Sequence, residues 1–219
     1  MSEFIHVAEI AVPMLLEGLG ITAAISAISI LLAIAMGLVL AYMCISDKIA
    51  ARCFARAFIK IFRCTPFMVQ VYLAYYGLPM LGIHVNAFGT GVITLGFYTA
   101  AYTAVILESG FKAVPKGQYE SAYASGMKKL QTMRRIILPQ TMRIIVPSLT
   151  GQFVQTVKDS SILSIITVAE MTMMTKEAIG ITFSPLFVYI CAAVFYWALN
   201  LVIEFISKNI EKKHNRVRI

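Results

Sequence analysis

The sequence predicts an all-α polytopic membrane protein of five transmembrane helices, with its N-terminus outside and its C-terminus in the cytoplasm. Three observations carry that expectation. Of 219 residues, 59% are hydrophobic and 14% charged, with a mean hydropathy of +0.78, far more apolar than ordinary soluble domains. Charge-free runs recur at bilayer-crossing length, since a core of about 30 Å takes about 20 helical residues. Lysines and arginines gather in alternate gaps between those runs, only Lys158 and Lys176 falling elsewhere, and cytoplasmic loops are the ones that collect positive charge. The same sorting accounts for the net charge of +8 by topology, without a nucleic-acid partner.

The elements follow in order. Phe4, Val7, Ile10, Ala11, Met14 and Leu15 suit one face of a short helix lying on the membrane. Glu3, Glu9 and Glu17, with no basic n-region, argue against a cleavable signal peptide. Residues 19–45 hold no charge and form the first span, their serines and glycines suiting close helix packing. Asp47, Lys48, Arg52, Arg56, Lys60 and Arg63 then mark a basic cytoplasmic stretch. No charge occurs between Arg63 and Glu108, a length that suits two crossings, 60–79 and 88–107. Gly77, Pro79, Gly82, Asn86 and Gly89 supply the outside turn between them. A basic loop, 111–145, follows on the inside. Span four, 146–169, is interrupted by Lys158 and Asp159; the connection with Glu170, Lys176 and Glu177 falls outside. Span five covers 184–206, and the tail carries Lys208, Lys212, Lys213, Arg216 and Arg218. Residues 1–219 form a single transmembrane domain.

Within the basic loop, Pro115 suits a helix start, where its missing N–H costs nothing, and Gly126 suits the end, in the left-handed conformation. Beyond the glycine, Met127, Leu130, Met133 and Ile137 recur at helical spacing, interleaved with Lys128, Lys129, Arg134 and Arg135. Pro139 is expected to stop this second helix. The loop thus reads as helix, glycine bend and helix, with apolar ridges and a basic flank. Periodicity alone equally allows an element resting on anionic headgroups.

Glu120-Ser121-Ala122, Gly126 and Ile136-Ile137-Leu138-Pro139 resemble the EAA loop of ABC importer permeases, the transmembrane subunits of binding-protein-dependent uptake systems. Phe62-Arg63-Cys64-Thr65-Pro66 with Gln70, Tyr75-Tyr76-Gly77-Leu78-Pro79, Ala101-Tyr102-Thr103-Ala104, Pro115-Lys116-Gly117-Gln118, Leu138-Pro139-Gln140 and Lys158-Asp159-Ser160-Ser161 resemble the polar amino-acid branch, the histidine, glutamine and arginine type. The resemblance runs in order from about Gly18 to the C-terminus. It implies a permease subunit of the bacterial cytoplasmic membrane, paired with an identical or homologous permease and working by alternating access. A cytoplasmic ABC ATPase dimer would bind inside, and an extracytoplasmic amino-acid-binding protein would deliver substrate outside. It assigns ATPase docking to Glu120, Ser121, Ala122, Gly126 and Pro139; Ser121 departs from the alanine of the triplet by a small exchange. No GxxxxGK[ST] phosphate loop occurs in the chain. A transport subunit that is not an enzyme and binds no cofactor is therefore expected, with Mg-ATP used by its partner.

Thr65, Pro66, Gln70, Lys158, Asp159, Ser160 and Ser161 are the substrate-pathway candidates. An ionisable side chain at the centre of a span costs about 2.5–3.5 kcal/mol unless paired or wetted. Adjacent helical residues point about 100° apart, so one of Lys158 and Asp159 can face a partner helix and the other a cavity. With the two serines they match the carboxylate and ammonium of an amino acid; an interhelical salt bridge holding a dimer is the alternative. Pro66 leaves the carbonyl one turn earlier without its N–H, for substrate or as a simple kink. Relatives often carry an acidic residue and then an arginine after the Ala-Tyr-Thr-Ala stretch, whereas this chain has Val105 and Glu108, so no particular amino acid is named.

Cys44, Cys53, Cys64 and Cys191 lack metal or redox spacing, and His6, His84 and His214 are isolated. Met171, Met173 and Met174 suit packing gaps better than a soft metal. The rival functions are import of another polar solute such as a quaternary amine, and a self-sufficient channel or secondary carrier, which the docking loop disfavours. A membrane scaffold is disfavoured by the ionisable pair.

Overall fold

Apolar runs fold as helices here because a helix satisfies its own backbone polar groups, as a lipid environment requires. The computed structural model describes residues 2–215, and among them there are no strands. Arg216 and Arg218, counted above as tail charges, lie outside the described residues, as do the side chains of Phe4, Lys212 and Lys213. In order the helices are α1 (Ser2–Cys44), α2 (Ile49–Cys64), α3 (Phe67–Met80), α4 (Ala87–Ala113), α5 (Lys116–Ala124) and α6 (Lys129–Thr132). A π-helical turn (Met133–Ile137) leads into α7 (Leu138–Asp159), and a 3-10 turn (Ser160–Ile166) separates it from α8 (Met171–Thr182) and α9 (Pro185–Asn215).

Among the described residues, three helical stretches are long and apolar enough to cross a membrane: Ile5–Cys44, Ala87–Ala113 and Pro185–Glu211. α2 and α3 pass the same test only as a pair that turns through 106°. The predicted span 60–79 therefore starts inside α2 and breaks at Thr65-Pro66, because the residue before a proline is driven out of the helical region. Span four corresponds to α7 and the 3-10 turn, which is too polar to join the three. The surface helix expected near the N-terminus is instead continuous with span one, and Pro13 sits inside α1 without ending it. Its apolar face is buried: Val7, Ala11 and Leu15 pack with Met171, Ala178, Val188 and Ala192 of α8 and α9. Met171 is thus a core residue, and the connection between the fourth and fifth predicted spans is itself a helix, α8.

Pro139 does not stop the second loop helix either. The helical backbone runs on from Lys129 through the π turn into α7, and Pro139 follows the Leu138 N–H to Met133 O bond of that wide turn, whose extra residue accommodates the proline.

α1 packs along α4, and α4 along α7. Small residues bring the axes together. A Cβ on Gly37 would sit 2.7 Å from Cγ2 of Thr103, and one on Gly110 would sit 2.0 Å from Cγ2 of Ile145. Hydroxyls stitch the same seams: Ser29 Oγ donates to Val92 O at 3.2 Å, and the Thr99 and Thr156 hydroxyls meet at 3.1 Å. The packing expected of the serines and glycines in span one is seen at Ser29 and Gly37. Outward faces stay apolar, with Leu31 68% and Trp197 65% exposed; in a membrane those faces meet lipid or partner.

Candidate functional site

α5 ends as the sequence predicts. Gly126 has φ +78°, the Met127 N–H donates to Ala122 O at 3.1 Å and the Gly126 N–H to Tyr123 O at 2.9 Å. That pair of bonds is a Schellman cap, in which the left-handed residue lets the chain leave at an angle. Pro115 precedes the first helical residue in an extended conformation. Behind the bend, Gln140 Nε2 donates to Gln118 Oε1 at 3.1 Å and to Ile136 O at 3.0 Å, bracing α5 against the root of α7.

The docking candidates divide by exposure. Glu120, Ser121 and Gly126 are exposed, Pro139 is partly covered, and Ala122 is buried. Ala122 therefore supports the elbow from within rather than forming its outer ridge. The exposed apolar surface comes from Tyr123 and Leu130, flanked by exposed Lys128, Lys129, Arg134 and Arg135. Tyr119 turns inward, and burial, then the neighbouring Tyr123, holds its phenol above the ordinary value. The elbow can therefore offer a partner a carboxylate, two apolar side chains and a basic rim.

The second cluster lies where α2 breaks. Thr65 Oγ1 donates to Ile61 O at 2.8 Å; Gln70 Nε2 reaches Thr65 Oγ1 at 2.7 Å and Phe62 O at 2.9 Å. Phe62 O is the carbonyl that Pro66 leaves without an N–H, so Gln70 fills it and it is not open to a ligand. Thr65, Pro66 and Gln70 thus form one unit, a self-satisfied bend.

Lys158 and Asp159 point apart: Lys158 is exposed and, among the described residues, in no ion pair, while Asp159 is half-buried. Asp159 Oδ1 accepts from Gln155 Nε2 at 2.8 Å. Ser160 Oγ donates to Val157 O at 2.8 Å and Ser161 Oγ to Lys158 O at 2.7 Å. Their protons serve carbonyls freed as the α-helix tightens into the 3-10 turn, contrary to the expectation of donors waiting for a ligand.

Among the described residues, three buried amide or carboxylate oxygens lack a partner, Gln70 Oε1, Asp159 Oδ2 and Asn200 Oδ1, and the first two belong to the substrate-pathway candidates. These two stand on α3 and at the end of α7, and α3 packs on the 3-10 turn that follows Asp159. Tyr98 of α4 lies within electrostatic reach of Asp159 and stacks on Phe67 with ring centres 4.7 Å apart. Buried acceptors call for donors, so this region can receive a cationic or N–H-bearing group.

Sequence reasoning did not single out Tyr98, Gln155 or Glu170. Glu170 is fully buried: Oε1 accepts from the Met173 N–H and Oε2 from the Tyr196 hydroxyl, both at 2.9 Å. Beside it, Thr22 Oγ1 accepts from the Met171 N–H at 3.0 Å. Together these bonds tie α8 to α1 and α9. An acceptor side chain directly before the Met171-Thr172-Met173 run was the available signal, an N-cap in front of a helix.

A family model, the binding-protein-dependent transport system inner membrane component, matches residues 30–216. The arginine transport system permease ArtQ of Bacillus subtilis is 32% identical over 92% of this chain and 93% of its own length. The glutamine transport system permease GlnP of Escherichia coli is 32% identical over 93% and 94%. A crystal structure of an amino acid ABC transporter with histidines superposes with a TM-score of 0.84 at 31% identity, covering 92% of this chain and 94% of that one.

Proposed function

This chain belongs to the inner-membrane components of binding-protein-dependent transport systems, and from that premise we propose that it is the permease subunit of an ATP-driven importer of a polar amino acid. The names of the relatives support the substrate class, as does the pair of unpartnered acceptors, Gln70 Oε1 and Asp159 Oδ2. An α-amino acid carries an ammonium group, the kind of donor such buried acceptors call for. Lys158, exposed and next to Asp159 in sequence, is suited to the carboxylate.

Five crossings accommodate the helices: α1, the bent α2–α3 pair, α4, α7 with its 3-10 turn, and α9. The polarity of α7 is what a helix lining a solute route requires, since ionisable side chains in a span face a cavity or a partner. With the N-terminus outside, α5 and α6 fall in the cytoplasm along with the basic clusters. An ABC ATPase dimer then docks on Glu120, Ser121, Tyr123 and Leu130, and a second permease completes the pathway. A binding protein delivers substrate outside. Mg-ATP is consumed by the ATPase, whose closure moves the elbow and reorients the spans.

The observation that carries this reading is the exposed, Schellman-capped elbow at Gly126 in a chain of this family. Affinity purification in mild detergent, followed by titration of the co-purified binding protein with amino acids, tests it. Recovery of an ATPase and an amino-acid-responsive binding protein is expected; solute flux through the purified chain alone would instead indicate a self-sufficient carrier.

A further inference from the structure

The basic stretch between α1 and α3 does more than set topology. Arg52, Arg56, Lys60 and Arg63 stand at i, i+4, i+8 and i+11 of α2, which at about 100° per residue places them within an arc of about 80°. Ala55 and Ile59 on the next arc are buried against α1 and α4. On the remaining arc Phe54 is 61% and Ile61 60% exposed, with no protein over them. A helix with one packed face, one bare apolar face and one basic stripe is built for an interface between water and lipid. The 106° turn into α3 lays α2 close to the membrane plane when α3 runs along the normal.

A pocket of about 410 Å³ opens at the basic edge, lined by Arg56, Lys60, Arg63, Tyr102 and Glu108. Its one carboxylate, Glu108, is already paired with Lys112. Among the described residues none of the three cations has an acidic partner. Arg63 is steadied from one side, its guanidinium 5.1 Å from the centre of the Tyr102 ring. Positive charge exceeds negative in the pocket, and exposed Cys64 on its wall, then exposed Ala57, lead round α2 to Ile61 and Phe54.

We propose that this pocket binds the phosphate headgroup of an anionic lipid, with Arg56, Lys60 and Arg63 on the phosphate and Phe54 and Ile61 against the acyl chains. The occupant is a lipid rather than a soluble phosphate because the same helix that carries the cations carries bare Phe54 and Ile61 on its far face, reached from the pocket over Cys64 and Ala57. The inference rests on membrane placement and not on the transported solute, so its failure leaves the importer reading intact.

The test is native mass spectrometry of the full chain released from detergent, titrated with phosphatidylglycerol, with phosphatidylcholine, and with glycerol phosphate as a chain-free competitor. Phosphatidylglycerol should be retained at least tenfold better than phosphatidylcholine. A lysine or arginine near an anionic surface is worth about a fivefold gain in affinity, so Arg56→Gln/Lys60→Gln/Arg63→Gln should abolish that preference. Phe54→Ser/Ile61→Ser should weaken both lipids alike. Equal retention of the two lipids, a preference unchanged in the triple variant, or displacement by glycerol phosphate would overturn the proposal. So would a triple variant that keeps its lipid but sheds its ATPase in a pull-down, which would assign the stripe to the protein partner.

Discussion

In the proposed reading, recognition turns on a half-buried aspartate with one oxygen unpartnered among the described residues. Asp159 Oδ1 is held by Gln155 while Oδ2 is the unpartnered oxygen, so Asp159→Asn keeps the shape but removes the charge. A hydrogen bond to a charged group is worth about 1.5–3 kcal/mol, so the KM for uptake in proteoliposomes with partner subunits should rise ten- to hundredfold. Unchanged uptake would favour an interhelical salt bridge as the role of the pair. Glu170 belongs to the opposite class, a carboxylate with its acceptors filled. Glu170→Ala would strand the Met173 N–H in a buried site, at about 1–3 kcal/mol for a group left unsatisfied, and would leave the Tyr196 hydroxyl with Thr172 as its remaining partner. The thermal midpoint of the purified chain should fall clearly, and Glu170→Gln, which keeps the Met173 bond, should fall less. Equal losses in the two variants would deny the carboxylate its place as cap and staple.

Among the elements, the elbow was legible in the sequence because its determinants are local: Pro115, Gly126 and the residues between them dictate a start, a left-handed stop and nine helical residues. The bend at Thr65-Pro66 was legible as a kink for the same reason. Its repair by Gln70 depends on the side chain folding back once the break exists. The inward face of Ala122 and the π turn beneath Pro139 were illegible, since both depend on how the loop seats on α7. Gly126→Asp follows from the legible part. A Cβ there meets nothing within 4 Å, so the cost is the left-handed backbone, which Asp and Asn tolerate better than other side chains. The variant should insert normally yet transport at least tenfold more slowly while the ATPase still turns over. Gly126→Asn, with the same backbone cost and no charge, should lose less, and equal transport by wild type and Gly126→Asp would remove the elbow from the coupling path. Gly110→Ala tests packing instead. Its Cβ would clash with Cγ2 of Ile145, so that side chain or the two helices must shift, at about 1–3 kcal/mol, and adding Ile145→Ala should restore part of the loss in a thermal-melt assay.

For the whole molecule, hydrolysis in one compartment can move helices in another only if the elbow projects into the compartment that holds ATP. The proposed topology puts it there, on the ground that Lys116, Lys128, Lys129, Arg134 and Arg135 lie on or beside α5 and α6 and positive residues stay on the cytoplasmic side. The turn between α3 and α4, which contains exposed His84, then faces outward. In a background with the four native cysteines replaced by serine, His84→Cys should react with a membrane-impermeant maleimide in intact cells. Lys129→Cys should react only in inverted vesicles. The five crossings proposed above are an odd number, so the same assay at the chain termini should give opposite sides, and like sides would require an even count. The reverse labelling of His84→Cys and Lys129→Cys would put the elbow beyond the reach of any ATPase, and with it the route by which a chain lacking a phosphate loop is driven.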